Sequence, residues 1–352
     1  MAPSPVTPLL LTAGTPGLTP ELLFSASCSV QRRLSDRCNS GGSSGKTAVV
    51  RSGGNTGGRA KSPTAKEVSV ASVLIAGCGY VGTSLGLELL GAGHRVWGLR
   101  RNPSQLPAGF APIAADLSSS DLASLPRGMD HVVYAASADD SSEAAYVKAY
   151  VTGLGRLLSA LETAGLRRFF FISSTAVYGQ TEGQWVDEDS ETTPTSFSGV
   201  RMLEAERLLE GSGFPFTILR CSGIYGPGRT RLIDSLRQGT ATSSARFTNR
   251  IHRDDIAGAI VHLLGSSDAP QRLLLSDDEP APEQEVLRYL AGLLGVPEPQ
   301  LSTGSSAGPQ RGGLKRCRNT RLHATGYRLR YPTYREGYAA MLAPQPHPEP
   351  KP

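Results

Sequence analysis

Val73-Leu-Ile-Ala-Gly-Cys-Gly-Tyr-Val-Gly82 decides how the rest of this chain is read. Val73 to Ala76 is a short apolar run of the kind that forms a strand buried on both faces. Gly77-x-Gly79-x-x-Gly82 follows at once. Val81, Leu85 and Leu89 then recur at four-residue spacing, the stripe that a helix buries on one side. Glycine-rich turns are common in α/β proteins, but a strand before this spacing and a helix after it point to a dinucleotide site. Gly77 permits the tight turn, Gly79 lets backbone approach a pyrophosphate, and Gly82 lets the helix pack on the strand. Tyr80, Val81 and Gly82 open that helix, which brings amide donors and a positive dipole end to the phosphates.

The chain has 352 residues and a formal charge of +5, which invites a nucleic-acid reading until the charges are located. Residues 1–66 hold eight Lys and Arg against Glu21 and Asp36. The remainder is nearly neutral, with 28 basic and 29 acidic side chains, and offers no electrostatic footprint for nucleic acid. No apolar run reaches the roughly 18 residues of a membrane span. Residues 1–68 are rich in Ser, Thr, Gly, Pro, Ala and Arg and poor in acids. That composition fits a transit peptide to a chloroplast or other organelle better than a secretory signal, the alternative being an ordinary N-terminal tail. Cys78, Cys221 and Cys317 lie beyond it, too scattered for a disulfide framework or a zinc site.

Downstream, strands alternate with helices. Arg95–Leu99, Phe110–Ala115, Asp130–Ser137, Arg168–Gly179 (a strand and its exit) and Phe216–Arg220 read as strands, and residues 143–164 and 196–210 as helices. The alternation predicts an α/β fold with a parallel, doubly wound sheet. An NAD site usually carries an acid about 20 residues past the fingerprint, but no Asp or Glu occurs between Glu88 and Asp116. Arg100 and Arg101 stand there instead, suited to a 2′-phosphate, so NADP(H) is expected in preference to NAD(H). Asp116 and Leu117, closing the third strand, and Ala135, Ala136 and Ser137, closing the fourth, are expected along the adenosine side. Ser173, Ser174, Thr175 and Tyr178 leave the fifth strand, at the end of the sheet where ligands bind.

Taken in order, four motifs resemble the extended, epimerase/dehydratase-like branch of the short-chain dehydrogenase/reductase family. They are Gly77-Cys-Gly-Tyr-Val-Gly82, Ile172-Ser-Ser-Thr-Ala-Val-Tyr-Gly179, Leu219-Arg-Cys-Ser-Gly-Ile-Tyr-Gly-Pro-Gly-Arg229 and Arg250-Ile-His-Arg-Asp-Asp-Ile-Ala257. The resemblance covers residues 72–342 and the glycine spacing is that of the atypical subgroup. It implies a Rossmann domain over 69–224 and a smaller C-terminal substrate lobe over 225–342. Residues 250–265 return to the sheet, and a disordered tail spans 343–352.

The family's catalysis uses a Ser or Thr, a Tyr, and a Lys four residues after that Tyr. Ser174 matches the first position. Phe197 and Arg201 stand where the Tyr and Lys belong, so the usual proton relay is missing. Three readings follow. An oxidoreductase or epimerase uses another group, with Tyr178 the nearest phenol and Arg201 in the ribose-binding position. Alternatively the chain binds NADP(H) without hydride chemistry, as a sensor or binding module. The third is a scaffold or RNA-binding relative, against which the neutral charge counts. A basic run from Arg311 to Arg335 favours an anionic small substrate, such as a phosphorylated or nucleotide-linked sugar, if it faces the cleft, and is otherwise a solvated face.

Overall fold

Val73, Leu74, Ile75 and Ala76 have no exposed surface, as a strand sandwiched between neighbours and covered on both faces requires. In the structure, a computed structural model, residues 70–162, 164–300 and 314–343 are described. The expected leader, Arg311 of the basic run, and the expected tail apart from Ala343 lie outside them. β1 (Ser72–Ala76) runs through the glycine turn into α1 (Tyr80–Gly91). There Leu85 and Leu89 are fully buried and Val81 nearly so.

β2 (Arg95–Arg100), β3 (Ala111–Ala114), β4 (His131–Tyr134) and β5 (Arg168–Ser174) follow. Between the last two run α2 (Glu143–Tyr146), a π turn over Val147–Thr152, and α3 (Gly153–Ala160). The single helix expected over 143–164 is therefore broken by the π turn. At its exit, Gly153 faces the Tyr134 hydroxyl, which an added Cβ would meet at 2.8 Å.

After β6 (Trp185–Val186) come α4 (Phe197–Glu210), β7 (Phe216–Cys221) and β8 (Gly223–Tyr225). The chain then forms α5 (Arg231–Arg237), β9 (Phe247–Thr248), β10 (Arg250–His252) and α6 (Arg253–Leu264). It ends in β11 (Arg272–Leu275), β12 (Ala281–Pro282), α7 (Glu283–Leu294), β13 (Arg316–Cys317), α8 (Thr320–Ala324) and α9 (Tyr334–Leu342).

Seven strands form one parallel sheet in the order β11-β7-β5-β4-β1-β2-β3. The order reverses between β1 and β4, the switch point at which such sheets open a ligand crevice. Helices cover both faces, each over its own core. A smaller third core joins α5, α7 and α9 through residues such as Ile233, Leu236, Val286, Leu290, Tyr334 and Tyr338. Its chain is not one continuous segment. β11, expected in the smaller lobe, hydrogen-bonds to β7 at the edge of the main sheet, because Leu273, Leu274 and Leu275 need cover on both faces. α6 packs with α1 in the core on one face of that sheet.

Candidate functional site

A cleft of about 1060 Å³ opens at the carboxyl ends of these strands. At its centre is the glycine turn. The amides of Gly77 and Cys78 both donate to Leu99 O, at 3.0 and 2.9 Å, and Gly79 N donates to Gly77 O at 2.7 Å. Helix geometry leaves the first-turn amides of Tyr80, Val81 and Gly82 without a partner inside the helix, and Gly79 supplies no side-chain cap. These donors and the helix dipole suit a pyrophosphate.

The glycines fit that occupant individually. Gly77 has φ +89° and lies so close to the β4 exit that a Cβ would stand 2.2 Å from Ala136 N. A Cβ at Gly82 would meet Gly77 O and Ile75 Cγ2 at 2.9 Å. At Gly79 it would meet nothing nearer than Gly77 O at 4.0 Å, so here hydrogen keeps the space open for the ligand rather than for the fold.

Gly77, Gly79, Tyr80 and Val81 line the cleft; Gly82 supports them from behind. The side of the cleft expected to take the adenosine is walled by Arg100 and Arg101 after β2, Asp116 and Leu117 after β3, and Ala135, Ala136 and Ser137 after β4. Arg100 Nη2 donates to Gln105 Oε1 at 2.7 Å. Arg101 is held by both oxygens of Asp139, an acid after β4 that the strand pattern did not single out. Asp116 accepts from the Ser118 amide and hydroxyl, which hold its carboxyl below the usual range, and Lys148 stands 3.5 Å away. Burial pushes the Cys78 thiol up to about 11, so this cleft cysteine is no thiolate nucleophile near neutral pH.

Ser174 is in the cleft wall, its hydroxyl accepting from Ala176 N at 3.1 Å. Tyr178 and Arg201 are not. The Tyr178 side chain turns into the protein, 3% exposed, and its hydroxyl accepts from Arg220 Nη1 at 3.1 Å. Arg220 in turn pairs with Glu206 at 2.7 Å, and Ser173 donates to the same carboxylate at 2.5 Å. Burial pushes the Tyr178 phenol upward even beside that guanidinium. A phenol so placed cannot exchange a proton with a cleft ligand, which corrects its expected catalytic role. Arg201 is held by Glu143 and Glu204, each at 2.7 Å, in a separate shallow depression. Its expected place at a ribose is likewise corrected.

Phe197 begins α4 and packs edge-on against Tyr146, whose ring does line the cleft. The other half of the cleft carries Arg229, Arg246, Arg250 and Lys315 against one acid, Glu283. Of the expected basic run, Lys315 alone among the described residues reaches this wall. Arg316 and Arg318 stack on Trp185, while Arg321, Arg330 and Arg335 pair with Asp189, Glu88 and Glu279. Arg321, Arg330 and Arg335 are surface clamps, because acids from neighbouring elements meet them there.

Sequence reasoning also passed over the buried Glu206–Arg220 pair. Glu206 carries a signal in hindsight, being the one acid among α4's buried positions.

A doubly wound sheet with a glycine turn at its switch point and an open uncapped helix behind it defines a dinucleotide-binding protein. A family model described as NAD(P)H-binding matches residues 77–267. The 3-diazoavenalumate denitrifying reductase of a Streptomyces species is 32% identical over 257 residues, 65% of this chain and 83% of that protein. A solved structure from Methylobacillus flagellatus, assigned as an NAD-dependent epimerase/dehydratase, is 41% identical. It covers 78% of this chain and 98% of its own, with a TM-score of 0.64. MoeE5 in complex with UDP-glucuronic acid and NAD is 26% identical, covers 77% and 97%, and has a TM-score of 0.67. The chain belongs to the NAD(P)H-binding family, among the epimerase/dehydratase-like short-chain dehydrogenases/reductases.

Proposed function

We propose that this protein is an NADP(H)-dependent oxidoreductase or epimerase whose substrate is small and anionic, a nucleotide-linked or phosphorylated sugar. The observation that carries the substrate class is the unequal charge beyond Ser174, three guanidinium groups (Arg229, Arg246 and Arg250) against Glu283. A phosphate there would replace water around guanidinium groups that already lie in a concave wall. MoeE5 binds a UDP-sugar in a related fold, which supports the same reading. Preference for the 2′-phosphorylated cofactor rests on Arg100 and Arg101 alone, since the cited neighbour contains NAD. The bound cofactor supplies or accepts hydride, and Ser174 is proposed to hold the substrate oxygen.

A second reading, a binding module without turnover, is favoured by Phe197 and by the burial of Tyr178. One experiment separates them. Saturate the protein with NADPH or NADP⁺, measure the thermal shift given by UDP-sugars, sugar phosphates and neutral sugars, and follow cofactor absorbance with each. Further stabilisation by anionic sugars together with absorbance change supports the enzyme. Cofactor binding with neither response supports the binding module.

We also propose that residues 1–68 direct the chain to an organelle. Fusion of this segment to a fluorescent protein tests it, and diffuse cytosolic signal speaks against it.

A further inference from the structure

We infer that Lys315 is the proton donor and acceptor of this cleft, in the role that the tyrosine missing from α4 would have filled. The inference rests on the oxidoreductase reading above.

Its backbone is fixed from two sides. Asn249 Nδ2 donates to Lys315 O at 2.8 Å, and Asn249 Oδ1 accepts from Cys317 N at 2.7 Å. On the strand side, Arg316 N donates to Gln184 O and Arg318 N to Val186 O. Lys315 is 2% exposed yet is among the residues of the cleft wall. Lys315 Nζ donates to Tyr178 O at 3.3 Å, which brings the amine to the exit of β5, where Ser173 to Ala176 share that wall. Ligands of such sheets react at these carboxyl ends.

The amine is also in the right chemical state. An ammonium has three donors, and Tyr178 O takes one. Among the described residues no carboxylate pairs with it. A buried cation without a counter-charge favours its neutral form, and burial accordingly pulls the Lys315 pKa down. The groups facing it do not reverse this. The Cys317 thiol is pushed up to about 12 and stays neutral, and the Tyr178 phenol is likewise pushed up and bonded to Arg220. Glu188 and Asp277 act on Cys317, and neither pairs with Lys315. A lysine needed only to hold one carbonyl would carry a large desolvation cost for one long hydrogen bond.

In the reducing direction the carbonyl carbon takes hydride from the nicotinamide and its oxygen takes a proton from the Lys315 ammonium. The C=O π pair becomes the new O–H bond, the cofactor is oxidised, and the neutral amine regains a proton from solvent. Oxidation of a hydroxyl runs the same transfers backward.

The test uses the full chain, NADPH titration, and pyridoxal 5′-phosphate with borohydride as an amine probe, read by peptide mapping across pH. Lys315 is expected to be labelled near neutral pH at least about tenfold faster than Lys148, whose ammonium pairs with Asp116 in the same cleft. With a substrate in hand, Lys315→Met should lower kcat on the order of 10²–10⁴-fold at unchanged NADPH affinity. Lys315→Arg, which puts a permanent charge in place of a titrating amine, should move the pH limb of kcat. Labelling of Lys315 no faster than Lys148, or full kcat in Lys315→Met, overturns the inference. Absence of NADPH binding in the wild type instead overturns the cofactor reading beneath it.

Discussion

Arg101 and Asp139 form a two-pronged ion pair, 2.8 and 2.7 Å, between the loops that leave β2 and β4, the strands on either side of β1. A cofactor 2′-phosphate must draw Arg101 away from this acid or share it. Both side chains are at least half exposed, so the pair itself holds only about 0–1 kcal/mol. Asp139→Asn is therefore expected to raise the preference for NADPH over NADH by a few fold, whereas Arg101→Ala lowers it. Titration of both cofactors by fluorescence measures the ratio, and an unchanged ratio in both variants removes Arg101 from the specificity site.

Gly77 and Gly79 should respond to alanine in different ways. Gly77→Ala places a Cβ against Ala136 backbone at a positive φ and should destabilise the fold by more than about 1 kcal/mol. Gly79 has φ −101°, and its Cβ would enter open cleft. Gly79→Ala should melt within a few degrees of wild type and lose NADPH affinity about tenfold or more. Equal affinity in Gly79→Ala would show that the pyrophosphate does not approach this residue.

The Glu206–Arg220 pair is buried, with 1% and 4% of the two side chains exposed. Removing one partner leaves the other charged and unpaired, so Glu206→Gln should cost about 3–5 kcal/mol in denaturant unfolding. Tyr178→Phe removes only one hydrogen bond to Arg220 and should cost about 1 kcal/mol, with cofactor affinity intact. Loss of cofactor binding in Tyr178→Phe would return this phenol to the site.

Of the three buried histidines among the described residues, His131 and His252 set an acid limit. Burial lowers His131 from 6.5 to about 4, and His252 likewise to about 4, against the pull of Asp254. Both are neutral in the folded chain near neutral pH, and the His252 ring accepts the Asp254 amide at the start of α6. Between those values the unfolded chain binds protons that the folded chain does not. Stability is therefore full above about pH 6.5 and falls as pH drops toward 4, by up to about 3 kcal/mol for His131. His252→Asn keeps a cap acceptor and should make the fall shallower. A pH-independent unfolding midpoint across this window contradicts the assignment.

The sheet was legible because its signals are local. A buried strand such as Val73–Ala76 needs a continuous apolar run, and a glycine turn needs its glycines, so sequence alone locates both. The strand exits that line the cleft followed, since exits are fixed once strands are. What sequence could not supply was direction beyond an exit. Tyr178 follows Ser174 by four residues, but the short helical turn over Thr175–Val177 sends its ring inward, toward Arg220. Arg201 was placed by homology of spacing, and Glu143 from another helix claims it. Lys315 lies 137 residues from the carbonyl it meets, a pairing with no periodic trace. β11 falls in the range expected for the smaller lobe yet joins the main sheet, because which sheet a strand joins is a long-range fact.

The central claim is that this cleft binds a nicotinamide dinucleotide and prefers its 2′-phosphorylated form. Direct titration of the full chain with NADPH and with NADH, by fluorescence or calorimetry, tests it without knowledge of the substrate. Saturable binding of one NADPH per chain is expected, tighter than NADH by about tenfold, corresponding to about 1.4 kcal/mol. That preference should vanish when Arg100 and Arg101 are both alanine. Binding of neither cofactor, or NADH binding as tightly as NADPH in the wild type, contradicts the claim.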